Sequence, residues 1–552
     1  MDGPATPRHD LRAGGGVPGW LWDVLAASIA LALGGWLWLE GAHLDPTARD
    51  QVHDLSLAIR IREGRSLSDG NRHPLFPALL APFAGRDPDF QTRALIVGIV
   101  VTVLAVFTVH RAAAKVYGRA LGVGAIAVLI VEFRLQGRRI CPENLVAAWL
   151  AVSAACLSTG AGRAREPGRA ASWWTLAGGA ALGLAWLTKG SATLSLAAAV
   201  GWLATTRGAT WRGRVGRVGW LLAGFVLTAW PLMAWNVHEG RQPLYNVNSA
   251  HVMWEDAWDG DLDKRTTATL STWWAAHSVM DGVRRLSTGL VSQRGIEFVY
   301  AAFAVLGVEA WWRRRARRGA AADGGGDAPT RAAQAARAAW GRLAVWSGAI
   351  WLLGFAWYAP IVSSRRLLFP VFPVLVPPVL AVVAGWGRRL AGGAWAAAVR
   401  RRAPVLAGVG SAGLLLLAGV LFVRGGSPGS REPIAKVWLE AADAMRRLCP
   451  KGSRVLVRPS RDYPPDWLLE GWVEYVELPG AVADADAASI VRTGEFVLVQ
   501  PDFAHARPTF LVQLVRRFGP IASSGGGVFD GMMETYGNAG CTAACWILYR
   551  GE

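Results

Sequence analysis

The sequence predicts a polytopic all-α membrane domain of about 11 transmembrane helices, followed by a small soluble α/β domain. Three observations predict it. Of 552 residues, 52% are hydrophobic and only 18% charged, with a mean hydropathy of +0.27, whereas soluble proteins carry about 25% charged residues. The charges are segregated: residues 96–109 and 411–423 contain none, and 313–318 reads RRRARR. After Gly425 the apolar runs become short and are punctuated by Gly and Pro. A single soluble domain and a disordered chain are both excluded. The net charge of +18 does not imply nucleic acid, because the basic residues lie in short clusters between apolar spans, where they orient a membrane protein. Five cysteines are too few for a disulfide framework, and 29 tryptophans suit a protein with many membrane–water interfaces.

Taken in order, Trp20–Leu39 is long enough to cross a bilayer. Arg8 and Arg12 precede it as in a signal peptide, but the span exceeds an h-region and no small-residue cleavage site follows, so a retained helix is expected. Residues 40–92 form a polar loop holding a short amphipathic piece, His73–Phe83. Further spans are expected at 93–109, 120–133, 143–158, 173–188, 190–206, 218–237, 295–312, 341–362, 367–386 and 404–423. With the N-terminus cytoplasmic, the inner loops hold Arg111, Lys115 and Arg119; Arg163, Arg165 and Arg169; Arg207, Arg212, Arg214 and Arg217; the 313–340 linker with Arg331 and Arg337; and Arg388, Arg389 and Arg400–Arg402. The outer segments are 40–92, 134–142, 238–294, 363–366 and the tail. Arg138, Arg139, Arg365 and Arg366 fall on this disfavoured side and require a reason. Residues 1–423 are thus expected as the membrane domain and 424–552 as an external domain. In the latter, 432–448 reads as an amphipathic helix, and Arg454–Arg458, Val473–Leu478, Phe496–Gln500 and Trp546–Tyr549 read as strands. Cys541 has Cys545 or Cys449 as a pairing partner, and the spacing decides for neither.

Three separated stretches carry a resemblance. The first is Asp50-Gln51, then Ala58, Gly64 and HPLFPALLAPF at 73–83; the second is Cys141-Pro-Glu-Asn144 with GLAWLTKG at 183–190; the third runs from Arg366 through Pro370 to Pro373. In order and topology these resemble the GT-C superfamily of membrane glycosyltransferases, in the branch of the protein O-mannosyltransferases and the lipid A aminoarabinose transferase (glycosyltransferase family 39-like). Gln51 stands where that branch usually has a second acid, and Leu367 where it has a tyrosine. The resemblance implies a GT-C fold and an inverting transferase. It would take a sugar from a polyprenyl-phosphate donor to a hydroxyl of a lipid, glycan or protein acceptor, on the external face of a bacterial plasma membrane.

The residues are consistent with that chemistry. Nucleotide sugars are absent outside the cell, so a donor must arrive through the membrane. A lipid phosphate leaves as a stable anion, so the reaction needs a base for the acceptor hydroxyl and cations for the phosphate. Asp50 takes the position of the family's first-loop aspartate and is the expected base, with Asp54 and Asp45 as rivals. Glu143 opens a helix after a proline; either the helix dipole alone accounts for it, or it is a second acid contacting sugar or acceptor or sharing a metal. Lys189, Arg365 and Arg366 are expected to hold the phosphate, since a guanidinium fork matches it. Arg138 and Arg139 serve the same end or snorkel to ordinary headgroups. His73 lines the sugar site or is an interfacial histidine, and Trp254, Trp273 and Trp274 form an aromatic belt or stack on sugars. The residues name no cofactor, and a divalent magnesium or manganese ion is a candidate.

Other motifs fail. Asp259-Gly-Asp261-Leu-Asp263 begins like a calcium loop but has Lys264 in place of the turn glycine and Leu270 in place of the closing Glu. Gly408–Gly413 spells a dinucleotide fingerprint inside an apolar span with no preceding strand. Lys189 lacks the upstream glycines of a P-loop. Against the transferase stand two other classes: a secondary transporter or lipid flippase, disfavoured by the absence of an internal repeat, and a catalytically inactive GT-C relative acting as an assembly subunit.

Overall fold

The computed structural model describes residues 18–387 except 41–48, 88, 164–169, 207–209, 258–265 and 318–327. It also describes 389, 434–457, 469, 472–477, 496–499, 520–523 and 547–550. The expected span at 404–423, Asp45, Asp259–Asp263 and the Cys541/Cys545 pair lie outside these residues, as does the side chain of Asp50.

The chain is mostly helical. Helix α1 (Gly19–Glu40) leads to α2 (Arg49–Arg62) and α3 (Leu75–Leu80), then to α4 (Asp89–Tyr117), α5 (Arg119–Gly137), α6 (Glu143–Gly162), α7 (Ala170–Thr188), α8 (Thr193–Ala204) and α9 (Trp211–His238). Three short helices follow, α10 (Val247–Ala250), α11 (Leu270–Ala276) and α12 (Val279–Ser292). Three long ones complete the bundle, α13 (Ile296–Arg317), α14 (Ala328–Tyr358) and α15 (Arg365–Gly387). Six described helices are long and apolar enough to cross a membrane, or seven if the pair α12 and α13, bent by 86°, forms one span. That is fewer than the about 11 crossings expected from sequence. Helix α8 has only 12 residues, and α7 is built largely of Ala, Gly and Trp, which are less apolar than Leu or Ile. The α12–α13 bend turns at Gly295, whose φ of +88° is open to glycine at little cost.

Packing depends on small residues. Helix α7 lies against α6 and α9, α4 against α5 and α6, and α14 against α6 and α8. At the α7–α9 crossing a Cβ on Gly179 would come within 2.0 Å of the Leu221 carbonyl oxygen, and one on Gly224 within 2.0 Å of that of Leu176. Lipid tails are as apolar as leucine, so close backbone approach supplies the attraction that burial cannot. Thr228 completes the seam by donating to Ala180 O at 3.0 Å. Trp186, Trp202, Trp340 and Trp351 are fully buried, so tryptophan also fills the interior and is not confined to interfaces. The Trp340 and Trp351 indoles donate to Val374 O and Ser195 Oγ, which makes their burial tolerable.

Beyond the bundle, α16 (Ile434–Leu448) precedes strands β1 (Ser453–Val457), β2 (Val473–Glu477), β3 (Phe496–Val499), β4 (Pro520–Ser523) and β5 (Ile547–Arg550). They form one sheet of order β2-β1-β3-β5-β4, with β1 parallel to β2 and β3, and β5 antiparallel to β3 and β4. Strand β4 was not expected from the sequence. A second apolar cluster gathers Leu55 and Ile59 of α2, Phe76 and Leu80 of α3, and Ile140 with Ala441, Met445 and Val455 of this region. Arg446 Nη2 donates to Arg86 O at 3.3 Å beside it.

Candidate active site

Helix α6 begins directly after Cys141-Pro142, so Glu143 occupies its first turn, where the helix dipole favours an acid. The side chain is only 2% exposed. Its partner comes from a break between two helices. Helix α7 ends at Thr188, Lys189 is extended (φ −158°, ψ 132°), and the chain re-enters a short turn at Gly190–Ala192 before α8. This break turns Lys189 sideways, and its Nζ donates to Glu143 Oε1 at 2.6 Å. Arg366, in the first turn of α15, adds its attraction to the same carboxylate. Glu143 Oε2 is buried without a hydrogen-bond partner. Next to it Cys141 donates its thiol to Gln136 O at 3.2 Å; burial and the Glu143 charge push this thiol up, so it is inert.

His73 closes the site on the side of Gly190. A Cβ on Gly190 would approach within 3.0 Å of both His73 Nε2 and Asn246, so glycine lets the chain pass under the imidazole. Asn246 donates its Nδ2 to Asn71 O at 2.8 Å and lies 3.2 Å from His73 Nε2, which makes that nitrogen an acceptor. The ring stands edge-on to Trp186 at 4.9 Å. Burial lowers the His73 pKa to about 4, so the ring is neutral at pH 7.

The first loop is tied to this centre through Gln51, whose Oε1 accepts the Ile140 N–H at 3.2 Å. Gln51 therefore acts as a strut between α2 and the turn that delivers Glu143. Asp50 is its neighbour in the first turn of α2, and Asp54 is buried one turn further on.

The structure thus brings Glu143, Lys189, Arg366 and His73 together at one end of the bundle. Arg138 and Arg139 are exposed on the loop leading into α6. Arg365 is engaged elsewhere, with Nε 2.6 Å from Glu132 Oε1 of α5. Trp273 is packed away, with its indole donating to Asp256 Oδ1 and its ring stacked on His277 at 4.3 Å; Trp274 beside it is exposed. Asn246 and Glu132 were missed in the sequence. Glu132 gives a signal there, as an acid inside the apolar run at 121–133; Asn246 gives none.

Among the described residues no three His, Cys, Asp or Glu come together as for a metal ion. Glu143 is already matched by Lys189 and Arg366, so the described donors suit an anion better than a divalent cation. On the outer face of α4 lies an apolar groove of about 750 Å³, lined by Leu79, Phe83, Ile96, Val100, Leu104 and Trp149 with Arg93 near one end.

Comparison with known proteins finds a family match over part of the chain and a likeness of fold. The family described as dolichyl-phosphate-mannose-protein mannosyltransferase matches residues 83–231. ArnT from Cupriavidus metallidurans bound to undecaprenyl phosphate is similar at a TM-score of 0.52 and 14% identity, over 96% of this chain and 97% of that one. Its apo state is similar at 0.50 and 15%, with the same coverage. At such identities the likeness is one of fold. A search of curated proteins finds no match in sequence.

Proposed function

We propose that this chain is a GT-C membrane glycosyltransferase, a reading that its family match over residues 83–231 and its fold support, and that it moves a sugar from a polyprenyl phosphate to an acceptor hydroxyl at the external end of the bundle. The observation that carries this reading is the convergence of Glu143, Lys189 and Arg366 at one end of the bundle, with neutral His73 beside them. Arg366 and Lys189 hold the donor phosphate, and Asp50, on the helix that Gln51 ties to the site, removes the acceptor proton. The acceptor oxygen bonds to the anomeric carbon as the carbon–phosphate oxygen bond breaks. The electron pair leaves on the phosphate, the proton passes to Asp50, and the anomeric configuration inverts. Glu143 keeps Lys189 in place and offers Oε2 to a sugar or acceptor hydroxyl.

The groove on α4 gives the lipid tail a place. It runs from Arg93 to Thr108, about 22 Å at helical rise. Helix α3 leads toward it from His73 at the site, with Leu79 and Phe83 in its wall. The tail region from 424 onward is read as an external α/β domain that orients the acceptor or caps the site.

The test is sugar transfer from radiolabelled polyprenyl-phosphate sugars by the purified protein, with membrane extract as acceptor. Asp50→Asn is expected to lower turnover at least about a hundredfold while donor binding is retained, as for loss of a general base. Unchanged turnover moves the base to Asp54, Asp45 or Glu143. No turnover by the wild type with any donor returns the weight to a transporter or an inactive relative.

A further inference from the structure

We propose that Glu132, an acid with no part in the reaction above, is a positioning residue: by holding Arg365 it turns the neighbouring Arg366 toward Glu143 and the donor phosphate. The inference rests on the reading of Arg366 as a phosphate-binding cation. A carboxylate inside an apolar helix is costly without a partner. Glu132 sits in such a run and its side chain is 6% exposed, with Arg365 Nε 2.6 Å from Oε1. The α12–α13 bend passes beside Arg365: a Cβ added at Gly295 would meet its Cγ at 3.0 Å, so glycine there leaves room for the arginine stem. The backbone just before it is tied to the same bend. Gln293 Nε2 donates to Ser364 O at 3.0 Å, and Ser363 Oγ donates to Ser292 O at 2.9 Å while accepting the Arg294 N–H at 3.0 Å.

Successive residues of a helix point about 100° apart. With Arg365 fixed on Glu132, the direction of Arg366 is therefore set, and its charge acts on Glu143. The two adjacent arginines then divide the work, Arg365 anchoring the turn and Arg366 facing the site. The sign of the effect separates this role from simple electrostatics. Removing a negative charge near an anionic headgroup should tighten its binding; removing an anchor should weaken it.

The experiment uses the full chain in lipid nanodiscs and measures the affinity for undecaprenyl phosphate together with donor KM and kcat. Glu132→Gln is expected to weaken binding about tenfold and raise donor KM, Arg365→Gln to do the same, and the double variant to lose no more than either alone, as for two members of one unit. Glu132→Asp keeps the charge and is expected to stay within about threefold of wild type, which a packing defect alone would not produce. Thermal unfolding of each variant shows whether it is folded. Unchanged or tighter binding by folded Glu132→Gln overturns the positioning role alone, as does a double variant whose loss is the product of the two singles. A wild type that does not bind undecaprenyl phosphate overturns the donor reading, and the positioning role with it.

Discussion

Burial of His73 against Trp186, with Asn246 beside its Nε2, keeps the ring neutral at the pH where the site would work. Its pKa of about 4 lies below the ordinary histidine value of 6.5, so between these values the unfolded chain takes up a proton that the folded chain refuses. Stability is then full above the unfolded value and falls as pH drops toward 4, by about 3 kcal/mol in all at about 1.4 kcal/mol per pH unit. The wild type should lose more thermal stability between pH 6.5 and pH 4 than His73→Gln, whose side chain does not titrate. Equal slopes for the two would place the acid sensitivity elsewhere. At this scale the sequence was most informative where a residue broke the pattern around it. Glu143 after a proline, Lys189 at the end of an apolar span, and Arg366 on the disfavoured side all stand out as charges that a membrane helix does not tolerate without cause. Asn246 does not, because an asparagine in a polar loop is ordinary, and only the fold brings it over His73.

The stretch GLAWLTKG at 183–190 shows what an element asks of its residues. Gly183 faces the Thr228 hydroxyl and the Phe225 carbonyl across the α9 seam, Trp186 walls His73, Lys189 reaches Glu143, and Gly190 clears the imidazole. The α7–α9 seam therefore sets where the cation at the end of α7 lies. Gly179→Ala puts a methyl group where 2.0 Å separates its Cβ from Leu221 O. Despite alanine's better helix propensity, this should destabilise the protein by about 1–3 kcal/mol, as overpacking does. Gly216→Ala, on α9 with nothing within 4 Å of the added Cβ, should be neutral or slightly stabilising. Thermal unfolding of the two variants separates helix propensity from the seam, and weaker donor binding in Gly179→Ala alone would follow from displacement of Lys189. Helix positions were legible because apolar runs announce themselves. Their ability to cross was less so: α7 and α8 are long or apolar only in part, and α13 enters its span through an 86° bend that periodicity does not reveal. Strand β4, Pro520-Ile-Ala-Ser, has no alternating pattern and is held by its pairing with β5.

For the whole molecule, the two ends of the bundle carry different chemistry, and this asymmetry ties fold to function. One end gathers Glu143, Lys189, Arg366, His73 and Asn246. The other carries Asp23 paired with His110 and Arg111, Lys115 over the Trp174 ring at 3.7 Å, and Arg337 donating to Val116 O. Its arginine-rich loops are those that the positive-inside rule assigns to the cytoplasm. If the donor is delivered by the membrane, the first end has to face outward. Single cysteines at Arg139, on the exposed loop into α6, and at Arg212, exposed in the first turn of α9, sample the two ends. They are introduced after the native cysteines are replaced by serine. On intact cells a membrane-impermeant maleimide should label Arg139→Cys and reach Arg212→Cys only after permeabilisation. The reverse pattern would put Lys189 and Arg366 in the cytoplasm, where nucleotide sugars are available, and the reason for a lipid-linked donor would disappear. Labelling of both without permeabilisation would mean that the helices between them, α6 to α8, do not separate two compartments, against the apolar length of α6.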